Sequence, residues 1–417
     1  MPFGPITACQ VCQSSPLEPV LFLGYIPPVN SMPDISRPRD EQPSYPLELV
    51  FCPRCSLAQI NMVVRPDLLF PPDYPYTTGT TRILRENFAQ LAEESTQALQ
   101  LKPDQLVVDI GSNDGTLLSN FVKRGHPVLG IEPTLKSELA NAAGVRTWMR
   151  FFDAECARAV LKEIGRPKLV TAANVFAHIP DPKGIVQAIA GLIGDEGVFI
   201  NESHYFLSLV ETLQYDTIYH EHLRYYSLKT MAGLLETAGL RIFRVKRIPT
   251  HGGSIRVYAS RNPKFAAEHS VKKQLKAEED FGLHQIERLR RFAGDVLQSK
   301  VDLIGLLGKL RRDKKTVFGI GAPSRASTLI NYCGLDRSLV ESVVEVGGSH
   351  KIGKFMPGTD IPVENEERLY REQPPYALLT SWHIHEELIP NLAKRGFKGD
   401  FIIPLPAPRI VPNPGSP

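Results

Sequence analysis

What this 417-residue chain lacks narrows the field first. No apolar run approaches the roughly 20 residues that a membrane-spanning helix needs, so no membrane is expected among its partners. Charge of one sign is missing too: 48 Lys and Arg face 45 Asp and Glu, a formal +3, without any polybasic run. Nucleic acid is therefore not an expected partner. The opening "MPFGPITACQVC" has no basic stretch followed by an apolar one, which argues against a secretory signal and for the cytoplasm. No solenoid-type repeat is present. The remaining composition, 42% hydrophobic and 22% charged, is that of a globular chain with more than one domain.

Cysteines are few, but their spacing is informative. Cys9 and Cys12 form one C-x-x-C and Cys52 and Cys55 another, while Cys156 and Cys333 stand alone. In a reducing compartment two such knuckles suit a metal better than disulfides. Four thiolates around tetrahedral Zn²⁺ leave no open position, so the expected metal is structural. Around them the chain is proline-rich, and "GYIPPVNSMPDISRPRDEQPSYP" cannot be helical. A module so short of regular structure needs such a staple.

Beyond a helix at about 82–100 the pattern alternates. "QLVVDIG", "PVLGIEP", "PKLVTAANVF" and "EGVFINESH" are short apolar runs with helical segments between them. This predicts a doubly wound parallel sheet. "LRIFRVKRIP" and "GSIRVYASR" read as an antiparallel hairpin closing its edge. A charged helical stretch follows at about 264–312, then a second strand–loop–helix unit from "KKTVFGIG" onward. The expected architecture is α/β in three parts: a zinc module at 1–75, a doubly wound domain at 76–262, and a linker helix with a Rossmann-like domain at 263–417.

In "VVDIGSNDGTLL", Asp109 ends a strand, and Gly111 and Gly115 allow backbone close to a ligand. The spacing is neither G-x-G-x-x-G nor a P-loop. Glu132 ends the next strand, where a carboxylate can accept from ribose hydroxyls. Asp109 and Asp114 disfavour phosphate and suit a cation. A nucleoside carrying an ammonium and a sulfonium fits, which is S-adenosylmethionine.

"VVDIGSNDGTLL", "GIEP", "NVFAHIPD" and "YHEH", with the leading cysteine pairs, together resemble the sugar C-methyltransferase family. The likeness extends to "YPYTTGTT", "THGGSIRVY", "GIGAPSRASTLINY" and "MPGTDIPV". It implies a zinc-binding domain, a class I methyltransferase domain with an antiparallel last strand, and a C-terminal Rossmann-like domain. The substrate implied is a nucleotide-linked deoxy-ketosugar of antibiotic biosynthesis, and the active site lies in the cleft between the last two domains. The matching motifs put Asp109, Gly111, Asn113 and Asp114 in the cofactor loop and Glu132 on the ribose. They put Asn174 beside the cofactor and Phe152, of "RFFDAE", against the adenine. A monomer is expected.

Methyl transfer to carbon needs a base for a C–H made acidic by a ketone, and donors for the enolate. Histidine is the natural base near neutral pH. The family motif carries over Tyr219, Glu221 and His222, with His222 as base, joined by His178 and Tyr76. His220 faces away if the segment is extended. H-E-x-x-H would need histidine where Arg224 stands, so no catalytic metal is expected. Gly253, beside Gly252, is read as a backbone contact to sugar or cofactor. Ser324 and Arg325 at a helix start are read as an anion site for a diphosphate. "WHIH" is read as a strand with His383 and His385 on one face. Two other functions stay open: O-methylation of another small molecule, and a non-catalytic zinc-dependent interaction protein.

Overall fold

A computed structural model describes residues 3–37, 41–70 and 77–415. Beside a two-stranded pairing of Gly4–Pro5 with Met62–Val63, the described residues form three larger sheets along the chain. The first is antiparallel, from Glu18–Ile26, Tyr45–Phe51 and Ala58–Ile60, and its fourth strand is Arg224–Tyr225 from far along the chain. The N-terminal module thus has more regular structure than its prolines suggest. Those prolines fall mainly in the loop between Ile26 and Tyr45, where no ladder N–H is needed.

The central sheet has seven strands. In spatial order they are Arg241–Ile248, Ser254–Ser260, Val198–His204, Leu169–Ala173, Val107–Ile110, Val128–Ile131 and Thr147–Trp148. The last five run parallel, and Ser254–Ser260 enters antiparallel between Val198–His204 and Arg241–Ile248. Val107 and Val108 are fully buried because helices cover both faces. Continuous apolar runs are what such strands require. Chain order reverses between Val107–Ile110 and Leu169–Ala173, which opens a crevice at their carboxyl ends.

The third sheet centres on Val317–Ile320, parallel to Ser342–Glu345 on one side and Tyr376–Leu379 on the other. "WHIH" is not a strand: Trp382–Ile384 is a 3-10 turn and His385–Lys394 a helix with Glu386 and Glu387 in its first turn. Carboxylates favour a helix N-terminus, and that signal outweighs the alternation.

Candidate active site

The segment Gln214–Ser227 supplies the centre. After the 3-10 turn Tyr215–Thr217, the chain makes a tight turn in which the N–H of His222 donates to the carbonyl of Tyr219 at 2.9 Å. It is a turn and not the extended run read from sequence. An i to i+3 closure puts Tyr219 and His222 on one side, with ring centroids 4.1 Å apart. His220 is indeed turned away: it is buried, and its Nε2 donates to the carbonyl of Pro46 at 3.2 Å.

His222 Nδ1 lies 3.0 Å from the carbonyl oxygen of Thr217. A carbonyl only accepts, so the proton sits on Nδ1 and Nε2 keeps its lone pair. His178 repeats the arrangement, with Nδ1 donating to the carbonyl of Glu221 at 2.7 Å. The two imidazoles are 5.0 Å apart. Burial, then the neighbouring His178 and His204, hold His222 well below the usual imidazole range. Burial brings His178 down to about 4. Both are neutral bases at pH 7. The carboxylate of Glu221 accepts from Asn30 Nδ2 at 2.7 Å. Tyr76 lies outside the described residues.

Two histidines that sequence reading left out of the site stand beside it. His204 ends the strand Val198–His204, and its Nε2 donates to Gln214 Oε1 at 3.4 Å. His251 has φ 57°, and its Nε2 accepts from the amide of Asn174, itself at φ 60°. Non-glycine residues in the left-handed region store strain and cluster at working sites. A polar residue at the carboxyl end of a parallel strand was the available signal for His204. Among the described residues no histidine group brings its ligand atoms close enough for a metal.

The buried histidines carry a stability consequence. Burial lowers His178, His220 and His251 to about 4 and His204 to about 3. In the unfolded chain each titrates near 6.5. Below that pH the unfolded state takes up protons that the folded state refuses. Stability is therefore complete above about pH 6.5 and declines as pH falls toward 4, at roughly 1.4 kcal/mol per pH unit for each proton. Calorimetric melting from pH 7.5 to 4.5, with metal content followed in the same samples, checks this. A constant Tm at constant metal content would contradict it.

At the carboxyl ends of Val107–Ile110 and Val128–Ile131, a buried carboxylate cluster faces the crevice. Asp109 accepts from Thr171 Oγ1 at 2.6 Å, and burial pushes it up to about 7, with Glu132 and Glu202 adding to the rise. Glu132 accepts from the N–H of Asn113 at 3.0 Å and from Thr134. Asp114 accepts from the N–H of Gly79 at 2.8 Å, and Asn113 Oδ1 from that of Thr78 at 3.0 Å. Gly111 has φ +70°, and a Cβ there would meet Val175 Cγ2 at 2.4 Å. Phe152 is buried, whereas its neighbour Phe151 is exposed. Negative charge of this density suits a cationic ligand.

A Cβ on Gly253 would meet the side chain of Ser208 at 2.6 Å, so the backbone here packs closely on helix Phe206–Glu211. One expected ligand site is corrected. Arg325 is no open anion site: it is buried, and its guanidinium donates to both oxygens of Asp216 at 2.8 Å. Ser324 Oγ donates to Asn30 Oδ1 at 3.2 Å.

The four cysteines fit a metal. Their sulfurs lie within 4.8 Å of one another and none forms a disulfide. Cys9 and Cys55 are 3.5 Å apart, as are Cys12 and Cys52. Tetrahedral Zn–S bonds of about 2.3 Å call for spacings of about 3.8 Å. The Cys55 thiol hydrogen-bonds Cys9, drawing Cys9 down to about 5 while Cys55 is raised. A cation in their midst would replace that proton.

A parallel sheet with an antiparallel last strand and an acidic crevice at its switch point defines a class I methyltransferase. Sequence comparison places it further. The family description "C-methyltransferase C-terminal domain" matches residues 249–406, "Methyltransferase domain" 81–245 and "Putative zinc binding domain" 9–70. C-methyltransferase NovU of Streptomyces niveus is 32% identical over 415 residues, 98% of this chain and 97% of that protein. A ubiquinone biosynthesis O-methyltransferase of Burkholderia thailandensis is 29% identical over 168 residues, covering 36% of this chain and 70% of its own length. Magnesium protoporphyrin IX methyltransferase of Synechocystis PCC 6803, solved with S-adenosylmethionine, aligns at TM-score 0.34 and 16% identity, covering 45% of this chain and 88% of that one. The chain belongs to the C-methyltransferase family. It is an S-adenosylmethionine-dependent enzyme with a zinc-binding N-terminal module.

Proposed function

We propose that the enzyme methylates the carbon next to the ketone of a nucleotide-linked deoxy-ketosugar, with His222 as base. The observation that carries this is the anchoring of His222 Nδ1 on the Thr217 carbonyl, which leaves Nε2 as a neutral acceptor. S-adenosylmethionine, when bound, supplies an electrophilic methyl group and leaves as a neutral thioether. This chain's residues must then do two things. His222 Nε2 takes the α-proton, and the phenol of Tyr219, whose ring lies 4.1 Å from the imidazole, would donate to the enolate oxygen. His178 is the second neutral imidazole of the pair. Asp109, Gly111, Asn113, Asp114 and Glu132 would hold the cofactor, whose cationic charge offsets the carboxylate excess. Asn174 donates to His251, and Phe152 would pack against the adenine.

The test is twofold. Nucleotide-linked ketosugars incubated with enzyme in deuterated water are expected to exchange the α-proton, and product NMR to show a methyl on carbon. A methyl on oxygen would instead establish the O-methyltransferase reading.

Gly111→Ala probes the cofactor assignment. The left-handed φ costs a Cβ-bearing residue about 1–2 kcal/mol, and the contact with Val175 adds to it. S-adenosylmethionine binding by calorimetry is expected to weaken about tenfold or more. Unchanged affinity would move the cofactor away from this loop.

A further inference from the structure

The catalytic turn is held from the N-terminal module as much as from the central sheet. Immediately after His222, the strand Arg224–Tyr225 pairs with Ala58–Ile60, Arg224 opposite Gln59 and Tyr225 opposite Ala58. Between them, the N–H of Ile60 donates to the carbonyl of Leu223 at 3.1 Å. Gln10 sits between metal ligands Cys9 and Cys12 and is buried. Its N–H donates to Gln59 Oε1 at 2.9 Å, its Nε2 reaches the carbonyl of Leu223 at 3.5 Å, and its Oε1 accepts from Arg224 Nη1. On the other flank, Asn30 donates to Glu221 Oε1 at 2.7 Å and accepts from Ser324 Oγ at 3.2 Å. Asn30 therefore joins the N-terminal module, the catalytic turn and the C-terminal unit at one amide. None of these contacts is needed to hold a zinc ion, and those of Gln10, Asn30, Gln59 and Ile60 with Glu221, Leu223 and Arg224 bear on the turn directly.

We propose that the metal module is a positioning device for the base: the cysteine knuckle fixes Gln10, Gln10 and Asn30 fix the turn Tyr219–His222, and the turn sets where His222 Nε2 stands. The kinetic part rests on His222 being the base. The structural part does not. A module that merely folded on its own would leave 219–226 indifferent to Gln10 and Asn30.

The test uses the full chain. In Asn30→Asp, which removes the donor and keeps the size, and in Gln10→Ala, amide exchange of 219–226 is read by mass spectrometry without substrate. It is expected to accelerate about tenfold or more, with zinc content at one per chain and S-adenosylmethionine affinity within twofold of wild type. Chelated protein is expected to show the same acceleration in the same segment. With substrate, kcat is expected to fall 10-fold or more while the KM for S-adenosylmethionine stays put. Unchanged exchange in 219–226 in both variants overturns the proposal, whatever chelation does to the rest of the chain. Accelerated exchange with unchanged kcat keeps the positioning device and removes His222 as the base it serves.

Discussion

Replacing His222 with alanine is expected to lower kcat by about 10²–10⁴-fold and to abolish deuterium exchange at the carbon beside the ketone, while S-adenosylmethionine binds within twofold of wild type. The size follows from the role, because loss of a positioned general base typically costs that much. The selectivity follows from place: the contacts that hold His222 are the Thr217 carbonyl and the Tyr219 ring, neither of them in the cofactor loop. The pH profile is diagnostic. With His222 held well below the ordinary range by burial and by its imidazole neighbours, the base is fully deprotonated at neutrality. Wild-type kcat/KM is therefore expected to show no acid limb near 6.5, and to decline only as pH approaches the lowered values. His178 is the informative control. If exchange persists in His222→Ala and disappears in His178→Ala, the second imidazole is the base. The pair is alike in that each ring has its Nδ1 on a backbone carbonyl; the ring neighbours differ, Tyr219 lying against His222 and Phe70 edge-on to His178.

Much of this site was legible because its signals are local. "VVDIGSNDG" joins an apolar run to a glycine turn, and both ends of that inference are fixed within ten residues by strand burial and backbone sterics. The cysteine knuckles were legible for a similar reason, since thiolate pairs at C-x-x-C spacing have few other uses in a reducing compartment. The misread parts depend on partners remote in sequence. Arg325 at a helix start looks like an anion site until Asp216, 109 positions earlier, is placed beside it. The Tyr219–His222 turn lacks the glycine or proline that marks turns locally, so alternation was the only pattern available, and it describes an extended chain. Its true cause lies in the Ala58–Ile60 strand and in Asn30, 191 residues from Glu221.

Arg325→Leu is expected to be the most destabilising single substitution considered, by about 3–5 kcal/mol. Asp216 is fully buried, and its carboxylate is satisfied by Arg325 through two bonds of 2.8 Å and by Trp382 Nε1 at 2.7 Å. Removing the guanidinium leaves a buried carboxylate with one neutral donor, which is where the cost arises. The arginine also lies over the Trp382 ring at 5.0 Å and donates to Gln214 Oε1 at 3.2 Å. Lysine cannot reproduce that fork, so Arg325→Lys should recover little. Adding Asp216→Leu to Arg325→Leu should return a large part of the loss, because the uncompensated charge is then gone. The damage should also reach catalysis. Asp216 is one residue from Thr217, whose carbonyl fixes the His222 tautomer. Loosening the tether is expected to lower kcat in Arg325→Leu even at temperatures where the chain stays folded, and the double variant to recover stability ahead of activity. Thermal melts paired with kcat at 20 °C separate the two effects. An Arg325→Leu protein that melts within a degree of wild type would mean that the ion pair contributes nothing to joining the two units.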